Sequence, residues 1–115
     1  GFVTAVDQIT GRGDLFLAMT NAGMGAAEIE QAMLDLVDRR NIRVIFTDLP
    51  AGSCTIAARR VLAARPGIVL VTGASLPLLL DFMSHEELAP ADAATHAVDR
   101  AVRSLTTVPG AARGH

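Results

Sequence analysis

The chain contains no tryptophan and no tyrosine, and only four of its 115 residues are phenylalanine. Its core must therefore be built from alanine, valine, leucine, isoleucine and methionine, side chains small enough for helices to lie close on a sheet. A single cysteine, Cys54, excludes an internal disulfide and a redox dithiol pair, in keeping with a cytoplasmic protein. No apolar run reaches the ~20 residues that a membrane-spanning helix needs. Residues 1–10, GFVTAVDQIT, lack the basic region and cleavage site of a secretory leader. With a net charge of −2 there is no basic footprint for nucleic acid. The small clusters Arg39, Arg40, Arg43 and Arg59, Arg60, Arg65 read as solvated helix ends.

What is present is half apolar and strongly periodic. Residues 2–9 carry Phe2, Val3, Val6 and Ile9 at helical spacing, and LFLAM (15–19) reads as a short buried strand. Residues 26–40 form an amphipathic helix with the stripe Ala26, Ile29, Ala32, Met33, Leu36 and Val37. Asn41 stops it, because asparagine tolerates the left-handed conformation that ends helices. IRVIFT (42–47) and IVLVT (68–72) are strands, the second a continuous apolar run suited to cover on both faces. Ser53 is placed to cap a helix over 54–65, which Pro66-Gly67 ends. Pro77 lies in the first turn of a helix over 76–83. A last helix runs from Pro90 to Leu105, with Ala91, Ala94, Val98, Ala101, Val102 and Leu105 on one side, and 106–115 is a tail in which Val108 marks a weak edge-strand signal.

Alternation of this kind specifies a single α/β domain over 1–115, with a mainly parallel sheet and helices on both faces. Ligands of such folds gather at the carboxyl ends of the strands. Those ends are Thr20–Gly25, Asp48–Ser53 and Gly73–Ser75, all rich in glycine and small polar residues. Asp48 can orient an imidazole and stabilise its charged form, or cap its own turn. Gly52, Ser53 and the following helix can bind an anion through free N–H groups, or Ser53 can be a plain cap. Cys54, with no partner thiol, reads as a small buried hydrophobe.

His85, His96 and His115 read as isolated, with His96 on the solvent side of the last helix, and they offer no metal-ligand spacing. Neither metal nor organic cofactor is expected. Gly23-x-Gly25 resembles part of a dinucleotide fingerprint, but Glu28 stands where the third glycine belongs and would repel a pyrophosphate. A nucleotide-binding α/β module is thus a weaker reading. Arg12-Gly13-Asp14 is a turn.

Two stretches are more specific. FTDLPAGSCTIAARR (46–60) and VTGASLPLLLDF (71–82) together resemble mannose-family enzyme IIA domains of the bacterial sugar phosphotransferase system (PTS). In that family a strand ends in Asp before a Gly-rich loop, Ser or Thr, and an Ala-rich helix. The next strand ends in Thr-Gly or Ala-Gly, before a helix opening Leu/Ile-Pro. The resemblance covers residues 2–105 and implies flavodoxin-like layering and dimer formation.

It also implies a phosphoryl carrier: a histidine takes a phosphoryl group from HPr and passes it to enzyme IIB for sugar uptake. Asp48 would then orient that histidine. Ser53, with Gly52, Gly73 and Ser75, would line the phosphoryl loop, Ser75 standing where the family often has asparagine. The family's histidine follows its first strand in a His-Gly pair ahead of the helix at 2–9. The resemblance implies that this strand and its histidine lie upstream of Gly1. The rivals within the same fold are a catalytically silent interaction module and the phosphotransfer subunit of dihydroxyacetone kinase, and the Leu76-Pro77 pair favours the sugar-transport branch.

Overall fold

The structure, a computed structural model, describes residues 24–49 and 52–110. The helix expected at 2–9 and the strand at 15–19 lie outside them, as does the end of the tail. The described elements follow the expected order: α1 (Ala26–Arg40), β1 (Val44–Phe46), α2 (Ser53–Ala64), β2 (Val69–Val71), α3 (Leu76–Met83) and α4 (Pro90–Ser104). This is a helix-rich α/β arrangement.

β1 and β2 are parallel neighbours, paired Val44 to Val69, Ile45 to Leu70 and Phe46 to Val71. Both are shorter than expected, and the residues flanking β1 join the ladder through one group each. Val69 N–H donates to the Arg43 carbonyl, and Thr47 N–H donates to the Val71 carbonyl.

Alternation along the strands assigns each side chain to one of two cores. Ile45, Ile68 and Leu70 pack with Ile29, Met33, Val37, Ala57, Ala58 and Val61 of α1 and α2. Val44, Phe46, Val69 and Val71 pack with Leu78, Leu79, Ala94 and Ala97 of α3 and α4. The apolar run through β2 thus reflects cover on both sides. Ile29 and Val61 are fully buried, each a transfer gain of about 1.5–3 kcal/mol. Phe46 meets Phe82 edge-to-face, with ring centres 5.0 Å apart, a geometry the ring quadrupoles favour.

α1 and α2 run side by side in the same direction, since Glu30 meets Arg60 and Asp38 meets Arg65. The Asp38–Arg65 contact is a two-pronged fork of 2.9 and 2.8 Å. That hydrogen bonding holds the Asp38 carboxyl below the usual carboxylate range and raises the Arg65 guanidinium. The arginines at these helix ends are solvated, as their clustering implied, and two of them also tie helices together.

Asn41 ends α1 in the left-handed conformation (φ 50°). Three local expectations need correction. Ser53 is the first helical residue of α2, and Gly52 occupies the cap position. The buried face of α4 is Ala93, Ala94 and Ala97, so Val98, Val102 and Leu105 stand exposed. A β-carbon alone fits against the strands there, whereas valine and leucine would hold the helix away. Residues 105–110 form neither helix nor strand, and Val108 is exposed. No helix among the described residues is long and apolar enough to cross a membrane.

Candidate functional site

The carboxyl ends of β1 and β2 are fastened at one residue, Thr47. Its N–H reaches β2 at Val71, and its carbonyl accepts from Ala74 N–H at 2.9 Å, drawing in the loop at Gly73–Ser75. Its hydroxyl lies 2.8 Å from that of Thr55 on α2. Thr55 in turn donates to the Leu49 carbonyl at 2.7 Å. Each hydroxyl has one proton. The Leu49 carbonyl is within reach of both, 2.7 Å from Thr55 and 3.3 Å from Thr47, so one proton goes to that carbonyl and the other either joins the two hydroxyls or goes there too.

Thr55 is 2% exposed, so an unmade bond there would carry its full desolvation cost. Both loops are thereby held beside each other and beside the start of α2. Sequence reasoning missed this pair. The signal was available: Thr55 lies three and seven residues before Ala58 and Leu62, on the apolar face of an Ala-rich helix.

The predicted site residues surround this fastening. Asp48 follows Thr47 and is exposed. Its turn-capping use is weakened by Pro50, since an aspartate that closes its own turn bonds the N–H two residues on, and proline has none. Gly52 has φ 119°, a region that side chains other than glycine rarely enter. Nothing lies near its missing β-carbon, so the requirement is purely one of backbone conformation, worth about 1–3 kcal/mol.

Ser53 is exposed in the first turn of α2. The first bond closing that turn is Ile56 N–H to the Gly52 carbonyl, which leaves the N–H groups of Ser53, Cys54 and Thr55 at the positive end of the helix. Gly73 also has positive φ, 70°. Ser75 caps α3 by accepting from Leu78 N–H at 3.4 Å, and its hydroxyl proton remains available to a ligand. Leu49 and Ile56, 59% and 49% exposed, form an apolar rim beside the loop. Cys54 is half-buried against the first core, as its reading implied.

Gly25 caps α1 with an ordinary φ of −78°. Glu28 Oε1 sits 3.9 Å from where its β-carbon would be. A carboxylate over that helix start opposes a pyrophosphate, which weakens the dinucleotide reading further. Gly23 and His115 lie outside the described residues.

The reading of His85 and His96 as isolated is overturned. Their rings are in contact, with centres 4.0 Å apart, and both turn to Asp81. The cause is the return of the chain from α3 into α4 through 84–89, which no periodicity within one helix reveals. They do not belong to the loop site. Asp81 is about 9 Å along the α3 axis from Ser75, at ~1.5 Å per residue.

A crystal structure from Klebsiella pneumoniae subsp. pneumoniae, provisionally described as a phosphoenolpyruvate-dependent sugar phosphotransferase system (PTS) permease, is similar to this chain. The TM-score is 0.76 at 25% identity, and the match covers 93% of this chain and 80% of that one. The chain therefore has the fold of that PTS-related protein. No protein-family model and no curated protein matches the sequence.

Proposed function

We propose that residues 1–115 form one enzyme IIA domain of the mannose type, with flavodoxin-like layering, working in the cytoplasm as a phosphotransferase component of the sugar PTS. The observation that carries this reading is the pair of glycine-containing loops brought together at Thr47 at the carboxyl ends of parallel strands. The motif resemblance at 46–60 and 71–82 and the likeness to a PTS-related structure support it.

In this reading a histidine nitrogen beside Asp48 attacks the phosphoryl group of phospho-HPr. A new N–P bond forms as the old one breaks, and the group then leaves to enzyme IIB by the reverse chemistry. Asp48 orients the imidazole and stabilises its charged form. The N–H groups after Gly52, with the Ser53 and Ser75 hydroxyls, receive the charge spread over the transferring oxygens, and Gly73 keeps its loop open to them. The exposed Leu49 and Ile56 give the protein donor and acceptor an apolar surface to seat on. His85 and His96 are not the carriers, because His85 lies just past the far end of α3 and His96 on α4, away from the loops.

The test uses the native full-length protein with phosphoenolpyruvate, enzyme I and HPr. Intact-mass analysis is expected to show one added phosphoryl group, stable in base and labile in acid, on a histidine. No incorporation, or incorporation only on a hydroxyl, would replace this reading with the silent interaction module.

The same proposal includes a homodimer, supported by the exposed ridge of Val98, Val102 and Leu105 on α4, the latter two 63% and 81% exposed. Val102→Asp with Leu105→Asp is expected to convert a dimer into a monomer in sedimentation velocity without loss of helicity. A parent protein that already sediments as a monomer at tens of micromolar would remove the dimer.

A further inference from the structure

We infer that Asp81, His85 and His96 form a binding site for a divalent transition-metal ion, with zinc favoured by the ligand types. The site is separate from the loop site, and nothing in the phosphoryl relay requires it. Asp81 and His85 are four residues apart at the end of α3, and His96 reaches across from α4. One potential ligand atom from each residue lies within 4.8 Å of the others.

Two of the three ligand separations lie within about half an ångström of what an ion imposes. A tetrahedral zinc with bonds of about 2.0–2.1 Å holds its ligands about 3.3 Å apart. Asp81 Oδ2 is 2.7 Å from His96 Nδ1 and 3.7 Å from His85 Nδ1, on either side of that value. Two imidazoles and one carboxylate leave a fourth position for water, the composition of open zinc and iron(II) sites. The cluster is close to the surface, with the Asp81 and His96 side chains 16% and 42% exposed, so an ion has an entry path.

Without an ion the same atoms are held by protons. His85 Nδ1 donates to the Asp81 carbonyl at 2.8 Å, and His96 Nδ1 donates to the Asp81 carboxylate at 2.7 Å. Carbonyl and carboxylate oxygens can only accept, so both rings carry their proton on Nδ1. Metal binding moves each proton to Nε2 through solvent, or releases one from any ring that is an imidazolium. The Arg100 guanidinium lies 3.9 Å from Asp81 Oδ1 and opposes a cation. Its side chain is mostly exposed, so it can swing away, and it uses the carboxylate oxygen that the ion does not.

Zinc chloride, with magnesium chloride as a control, is titrated calorimetrically into the full chain at neutral pH. The background is Cys54→Ser with His115→Gln, which removes the other cysteine and histidine of residues 1–115. About one equivalent of zinc is expected to bind with micromolar affinity and to raise the melting temperature by several degrees, and magnesium is expected to do neither. His85→Gln and Asp81→Asn are each expected to weaken zinc at least tenfold, and Arg100→Ala to strengthen it several-fold.

His96→Gln is expected to behave like His85→Gln. If it loses helicity, His85→Gln decides, because its ring bonds only within its own turn and the helix pair keeps the His96–Asp81 contact. Absence of zinc binding at a hundred micromolar would overturn the inference. So would binding that His85→Gln and Asp81→Asn leave unchanged. The three residues would then be a hydrogen-bonded clasp between α3 and α4.

Discussion

Asp48→Ala is expected to slow phosphoryl transfer from HPr by about a hundredfold or more, with the fold unchanged. The size follows from what an orienting carboxylate does: it fixes which imidazole nitrogen attacks and stabilises the positive charge that forms on the ring, and losing such a group costs ~10²–10⁴ in rate. The intact fold follows from position. Asp48 is exposed beyond the last paired residue of β1, so its removal opens no cavity. Asp48→Asn separates the two contributions, because the amide keeps an acceptor but loses the charge. Quench-flow transfer rates, with the melting temperature as the control, give the answer. A rate within twofold of the parent would take Asp48 out of the site.

Thr55→Val is expected to destabilise the protein by about 1–3 kcal/mol, although valine has nearly the same shape. The loss comes from the two short bonds of the Thr55 hydroxyl, which the Thr47 hydroxyl replaces only by its longer 3.3 Å contact with the Leu49 carbonyl. Thr55→Ser restores the donor and should recover most of the loss. Thr47→Val combined with Thr55→Val should cost less than the sum of the two single changes, because both remove the same hydroxyl–hydroxyl bond. Urea unfolding with an unchanged m-value measures each. A Thr55→Val protein as stable as its parent would show that the hydroxyl pair does not hold the loops. If it does, the variant should also transfer phosphate more slowly, since the loop carrying Asp48 loses its tether.

The order and type of the described elements were legible because each is written in local chemistry. α1 shows its stripe and its stop at Asn41, and α3 shows Ser75 and Pro77 at its start. β2 shows an apolar run that needs two covered faces. The loops of the candidate site were legible for the same reason, since glycine and small polar residues at strand ends announce themselves.

What remained hidden was set by tertiary packing. Ser53 looks like a cap, but Gly52 takes that place because only glycine accommodates its backbone. α4 offers two apolar faces, and the sequence does not say that the alanine face, with its small side chains, is the one pressed on the strands. Thr47 with Thr55, and Asp81 and His85 with His96, are pairings across elements. No reading of a single helix or strand brings their atoms together.

The alternation of β1 and β2 between two cores has a consequence for how the molecule comes apart. Neither strand has an idle side. Ile45 and Leu70 belong to the layer of α1 and α2, while their immediate neighbours Val44, Phe46, Val69 and Val71 belong to the layer of α3 and α4. A slip of one residue between the strands and their surroundings would send every one of these side chains into the wrong layer at once. Stripping off α3 and α4 would strand four of the six paired residues in water, and stripping off α1 and α2 the other two. The six paired residues therefore act as a common hinge pin: the two helical layers stand or fall together, and the register of the shortest described elements is tightly specified.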